Sequence, residues 1–86
     1  MHDVPHNVPI DDSIDLHTFQ PREISIVVEE YLEQARNKGF REVRIIHGRG
    51  AGVQREIVHS ILKQHPGVLS FRAMPDRGST CVLLKI

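Results

Sequence analysis

Along the 86-residue chain the spacing of apolar and polar positions changes several times, and each change marks an element. From Ser13 to Phe19 the positions alternate, with Ile14 and Leu16 on one side and Asp15 and His17 on the other, which predicts a half-buried strand ending near His17. Pro21 suits a first helical turn, and Ile24, Val27, Val28, Tyr31, Leu32 and Ala35 then recur at helical spacing until Gly39 supplies a stop. Val43 to His47 reads as a second short strand. Val53, Ile57, Val58, Ile61 and Leu62 mark a second helix, closed by His65-Pro66-Gly67. Two more strands follow, Val68 to Met74 and Thr80 to Ile86. Between them Pro75-Asp76-Arg77-Gly78-Ser79 has the residues and length of an antiparallel hairpin turn.

The predicted order is βαβαββ. Because a helix separates the first two strands, they should lie parallel through a right-handed crossover. The expected fold is α/β, more closely an α+β two-layer sandwich, with a four-stranded mixed sheet and both helices on one face. The other sheet face should stay partly open. Val4-Pro5 and Val8-Pro9 forbid regular helix over residues 1–12, which read as an extended N-terminal arm, and residues 13–86 form one domain. A chain of this size buries about 60 to 65% of its unfolded surface, leaving little stability to spare.

Composition narrows the function classes. Apolar residues make up 40% and charged residues 26% of the chain, ordinary for a globular protein. No stretch approaches the roughly 20 apolar residues that span a bilayer, so the expected location is cytoplasmic, without a membrane partner. The single cysteine, Cys81, precedes Val82-Leu83-Leu84 and reads as a buried strand thiol, which leaves no place for an intrachain disulfide or a multi-thiolate zinc site. Net charge is zero, but residues 1–35 carry one arginine against eight acids and residues 36–86 carry ten Lys/Arg against three acids, giving −7 and +7. A basic face able to meet phosphates is one outcome of such a split; intermingling in the fold is the other.

Loops leaving the C-terminal ends of parallel strands collect functional groups, and two motifs fall there: Asp15-Leu16-His17 and His47-Gly48-Arg49-Gly50. Spacing of two on a strand places the Asp15 carboxylate beside the His17 imidazole, where the acid can orient the ring and His17 can act as a general base on a ribose hydroxyl or a water. The plainer alternative pairs Asp15 with a surface arginine and uses His17 to cap the first helix. The run Gly48-Arg49-Gly50-Ala51-Gly52 lacks the Lys-Ser/Thr of a P-loop and the spacing of a dinucleotide fingerprint, yet backbone N–H groups, a helix N-terminus and Arg49 can together hold a phosphate. Its plainer alternative is a tight turn needing positive φ at Gly48 or Gly50.

Metal binding is weakly supported. Asp15 with His17 or His47 offers too few oxygens for magnesium and lacks a third zinc ligand, so no residue is assigned as a metal ligand, while a divalent ion such as magnesium stays open. His59 and His65 should face solvent, and His2 and His6 belong to the arm. The aromatics Phe19, Tyr31, Phe40 and Phe71 make no base-stacking platform; Tyr31 should be core, Phe19 and Phe71 should pack, and of these Phe19 lies just past the proposed site.

Taken together, Ile14-Asp15-Leu16-His17, Pro21-x-Glu23 and His47-Gly48-Arg49-Gly50 opening a helix resemble the Smr (small MutS-related) domain in its stand-alone form, over about Ser13 to Ile86. The resemblance implies a fold similar to the C-terminal domain of bacterial translation initiation factor three. It also implies an endonuclease that nicks DNA or cleaves RNA, in some cases messenger RNA at stalled ribosomes. By this resemblance Asp15, His17 and Arg49 are catalytic, and His47, Gly48, Gly50, Gly52, Thr18 and Arg77 meet phosphate or nucleic acid. Thr18 stands where the family usually has glycine, and the glycine-rich loop before the last strand is reduced to Gly78-Ser79-Thr80. The leading expectation is thus a nucleic-acid-binding endonuclease, and the alternative is a non-catalytic module that grips nucleic acid or a ribosome.

Overall fold

The computed structural model describes residues 10–49 and 52–85. Most of the expected arm, together with Gly50, Ala51 and Ile86, lies outside the described residues. Six elements follow in the expected order: β1 (Ser13–Asp15), α1 (Pro21–Asn37), β2 (Glu42–Ile46), α2 (Val53–Gln64), β3 (Val68–Ala73) and β4 (Ser79–Leu84). They build one mixed sheet in the order β1-β2-β4-β3, with β1 parallel to β2 and both contacts of β4 antiparallel.

Helix α1 begins where its sequence says it should. Gln20 is the N-cap, its N–H donating to the Glu23 carboxylate (2.8 Å), and Pro21 takes the first helical position, where no donor is needed. Capping by His17 therefore does not occur. The helix stops at Gly39, whose φ of 87° lets the next N–H, of Phe40, reach back to the Ala35 carbonyl (3.0 Å). Ile24, Val28, Tyr31, Leu32 and Ala35 form the buried stripe. In α2 the buried residues are Val58 and Leu62, flanked by Ile57 and Ile61; Val53, which shares their period, is exposed at the first turn.

Register decides the two faces of the sheet. Ile14 pairs with Ile45, Ile45 with Thr80, and Val43 with Val82, so these side chains share the face that meets the helices, while Asp15, Arg44, Ile46, Cys81 and Arg72 share the other. The core joins Ile24, Val28 and Leu32 of α1 and Val58 and Leu62 of α2 to Val43, Ile45, Val82 and Leu84 of the sheet. Cys81 is buried, as expected, but on the face away from the helices. There its thiol donates to the Glu42 carboxylate (2.8 Å), and burial first, then Glu42, raises its pKa. The described end of the arm is docked: Tyr31 Oη donates to the Asp11 carbonyl (2.7 Å), and the Arg44 N–H donates to Asp12 (2.8 Å).

Candidate nucleic-acid interface

Three loops meet at the C-terminal edge of β1 and β2. Strand β1 ends at Asp15, two residues before the end near His17 that the alternation predicts. The Leu16 N–H still bonds the Ile46 carbonyl (2.8 Å), but the next N–H, of His17, turns back to the Asp15 carboxylate (3.0 Å). The dyad thus arises from a side-chain-closed turn rather than from two side chains on a continuing strand.

That turn brings the His17 ring onto the same acceptor, with Nδ1 2.8 Å from Asp15 Oδ1. An ionised carboxylate only accepts, so Nδ1 carries the hydrogen and the neutral ring keeps its lone pair on Nε2. The His17 backbone N–H, then its ring, lower the Asp15 pKa and keep the carboxylate charged. Both groups are open to solvent, 70% exposed for the His17 side chain and 50% for Asp15, and among the described residues Nε2 has no hydrogen-bond partner. The exposed Nε2 lone pair can accept a proton from a molecule that reaches it. Thr18 follows, exposed in the same turn, and Phe19 packs against the core while its carbonyl accepts from Gln54 Nε2 (3.0 Å), tying the loop to α2.

The second motif divides differently from expectation. His47 is only 5% exposed and faces the helix side of the sheet: its Nε2 lies 2.9 Å from Thr80 Oγ1 and its Nδ1 3.1 Å from the Gly48 carbonyl. Its ring is turned inward. Gly48 has φ 88°, so the tight-turn requirement is real at this residue, and its N–H is taken up by the Gly78 carbonyl (2.9 Å), which also accepts from His47 N–H (2.9 Å). A backbone anion cradle therefore does not include the Gly48 N–H. Gly52, with φ 87°, is the N-cap of α2, and Gly50 lies outside the described residues. Arg49 is exposed, and its side-chain stem rests on Gly78, where an added Cβ would stand 3.1 Å from Arg49 Cγ.

The hairpin supplies the third loop. Asp76 accepts from the Gly78 N–H (2.8 Å) and the Ser79 hydroxyl (3.2 Å); the Gly78 bond is the largest cause of its lowered pKa. Arg77 is exposed and adopts φ 65°, its N–H closing the turn on the Met74 carbonyl (3.0 Å). Arg49 thus lies against Gly78, the residue that follows Arg77.

Two histidines depart from expectation. His59 of α2 is half-buried beneath the sheet edge, its Nε2 2.8 Å from Thr80 Oγ1 and its ring 5.0 Å from Phe71; burial first, then His47 and Arg55, lowers its pKa. The His65 side chain is 9% exposed, and its Nδ1 accepts the Gly67 N–H (2.9 Å). Sequence reasoning missed Thr80 altogether. Its signal was a polar residue in phase with Val82 and Leu84 on a core face, a position that demands a buried partner.

Among the described residues no three His, Cys, Asp or Glu side chains converge into a metal-binding group; with the His47 ring turned inward, this edge offers the His17 imidazole and two carboxylates, Asp15 held by His17 and Asp76 held by Gly78 and Ser79. That set does not meet the oxygen-rich coordination of magnesium, and no step is derived through an ion.

The comparisons agree with this architecture. The model of the Smr domain matches residues 14–85. An endonuclease MutS2 from Caldicellulosiruptor bescii is 39% identical over 80 residues, covering 88% of this chain and 10% of that protein. A second, from Clostridium novyi, is 42% identical over 60 residues, covering 70% of the chain and 8% of the relative. The chain therefore spans about a tenth of the length of these relatives. The Smr domain of Thermus thermophilus MutS2 superposes with a TM-score of 0.82 at 31% identity, covering 86% of this chain and 98% of that one. YdaL, a stand-alone small MutS-related protein from Escherichia coli, gives 0.81 at 27% identity, covering 91% and 67%.

Proposed function

Because this chain belongs to the Smr domain family, we propose that it binds nucleic acid and cuts phosphodiester bonds, with RNA favoured over DNA. The observation that carries the reading is the exposed Asp15–His17 pair, 2.8 Å apart, with the ring's lone pair directed outward. His17 Nε2 takes the proton from a ribose 2′-hydroxyl, whose oxygen attacks the adjacent phosphorus. The bond to the 5′-oxygen breaks, and that oxygen gains a proton from solvent. A 2′,3′-cyclic phosphate and a 5′-hydroxyl result. Asp15 holds the ring in the required tautomer and stabilises the imidazolium once formed. Arg49 neutralises charge on the phosphorane, and Arg77 and Thr18 contact the flanking backbone.

On DNA the same base would activate water. Incubating the chain with labelled single-stranded RNA, duplex DNA and branched DNA, with and without EDTA, tests the reading. Cleavage of RNA that survives EDTA and leaves cyclic phosphate ends is expected. Binding without any turnover would replace the nuclease by a module that grips nucleic acid or a ribosome through Arg49. Cleavage abolished by EDTA would replace the metal-free mechanism.

A further inference from the structure

Beneath Arg49 lies a buried run of polar groups that, with both rings neutral, has one consistent assignment of hydrogens. The Gly48 carbonyl can only accept, so His47 Nδ1, 3.1 Å away, is the N–H of the neutral ring. His47 Nε2 then holds a lone pair, and the Thr80 hydroxyl, 2.9 Å away, must donate to it. With its hydrogen committed, Thr80 Oγ1 accepts from His59 Nε2 at 2.8 Å. The direction is thus fixed from α2 through β4 to β2, ending on the carbonyl of the residue before Arg49. Thr80 is fully buried and His47 nearly so, which leaves water little access to replace a lost partner.

We infer that Thr80 and His59 are positioning residues for Arg49, acting through the tautomer of His47. Gly48 is held on both sides, its N–H by the Gly78 carbonyl and the carbonyl of its peptide to Arg49 by His47 Nδ1, and φ 88° at Gly48 sets the direction in which the chain leaves toward Arg49. If His47 adopted the opposite tautomer, its Nδ1 lone pair would face the Gly48 carbonyl and repel it. The peptide would then rotate, and the Arg49 stem would lose its seat on Gly78. The inference rests on the reading that Arg49 grips the phosphate backbone.

The test compares the whole chain with Thr80→Val, which keeps shape and removes the hydroxyl, and Thr80→Ser, which restores it. Ring ¹⁵N shifts at neutral pH should show His47 protonated at Nδ1 and His59 at Nε2 in the native chain and in Thr80→Ser. In Thr80→Val the His47 preference should weaken, because the Gly48 carbonyl alone then favours Nδ1–H, with affinity for a single-stranded RNA oligonucleotide falling about tenfold, equivalent to roughly 1.4 kcal/mol. In an Arg49→Ala background Thr80→Val should cause no further loss of affinity. His47 protonated at Nε2 in the native chain would overturn the inference. So would an equal loss with and without Arg49, which is the mark of general loosening. Should Thr80→Val not fold, the native ring shifts and Thr80→Ser still decide the tautomer. A chain that binds RNA without cutting it would end the nuclease reading and leave this inference standing.

Discussion

At the level of single residues, the Asp15–His17 pair and the His47–Thr80–His59 group show opposite uses of histidine. The first is exposed, so it adds little to stability and leaves a nitrogen for an incoming proton. Asp15→Asn should therefore leave the melting temperature unchanged while cleavage slows by about tenfold or more, since the amide accepts the ring's hydrogen but carries no charge to stabilise the imidazolium. Equal rates for the two proteins would remove Asp15 from the mechanism. The second group is sheltered, and the lowered pKa of His59 has a consequence for folding. Burial favours its neutral form, so this stability is fully present above the ordinary value of 6.5 and is lost as the pH falls through the folded value. Melting temperatures measured from pH 7.5 to 5 should decline more steeply for the native chain than for His59→Gln, and parallel curves would contradict this.

At the scale of elements, the amphipathic stripes of both helices and the order βαβαββ were legible because burial imposes its period on the sequence. The end of β1 was not. Asp15 and His17 alternate with Ile14 and Leu16 as in a strand, yet the His17 N–H is satisfied by the Asp15 carboxylate, and a period of two cannot tell a ladder from a turn closed by its own side chain. His59 borders the Val58–Leu62 stripe, so partial burial was inferable; its partner on β4 required the sheet register, which no local pattern contains. The glycine of the second motif makes an element-scale prediction. Nothing stands within 4 Å of a Cβ placed on Gly48, so Gly48→Ala meets no clash and its cost is the left-handed backbone alone. Chemical denaturation should show a loss of about 1 to 2 kcal/mol, and an unchanged midpoint would mean that the loop adopts another conformation.

Over the whole molecule, the acidic half of the sequence gathers on α1, which carries Glu23, Glu29, Glu30 and Glu33, while Arg49 and Arg77 stand at the edge with the dyad. The separation read from the sequence is only partial in space, because Asp15, from the acidic half, lies on β1 paired with β2 of the basic half. A small number of phosphate contacts follows, so affinity for RNA should fall with salt, with a log–log slope of about −1 to −2 and one unit shallower in Arg49→Ala. A slope near zero would point to a protein partner. The family and the fold stand on the whole domain, whereas chemistry stands on two exposed side chains. The most direct test is accordingly the single-turnover rate of RNA cleavage by the native chain and by His17→Ala under identical conditions. A fall of about 10² to 10⁴ with RNA affinity and melting temperature retained is the predicted result, and undiminished cleavage by His17→Ala would contradict the account.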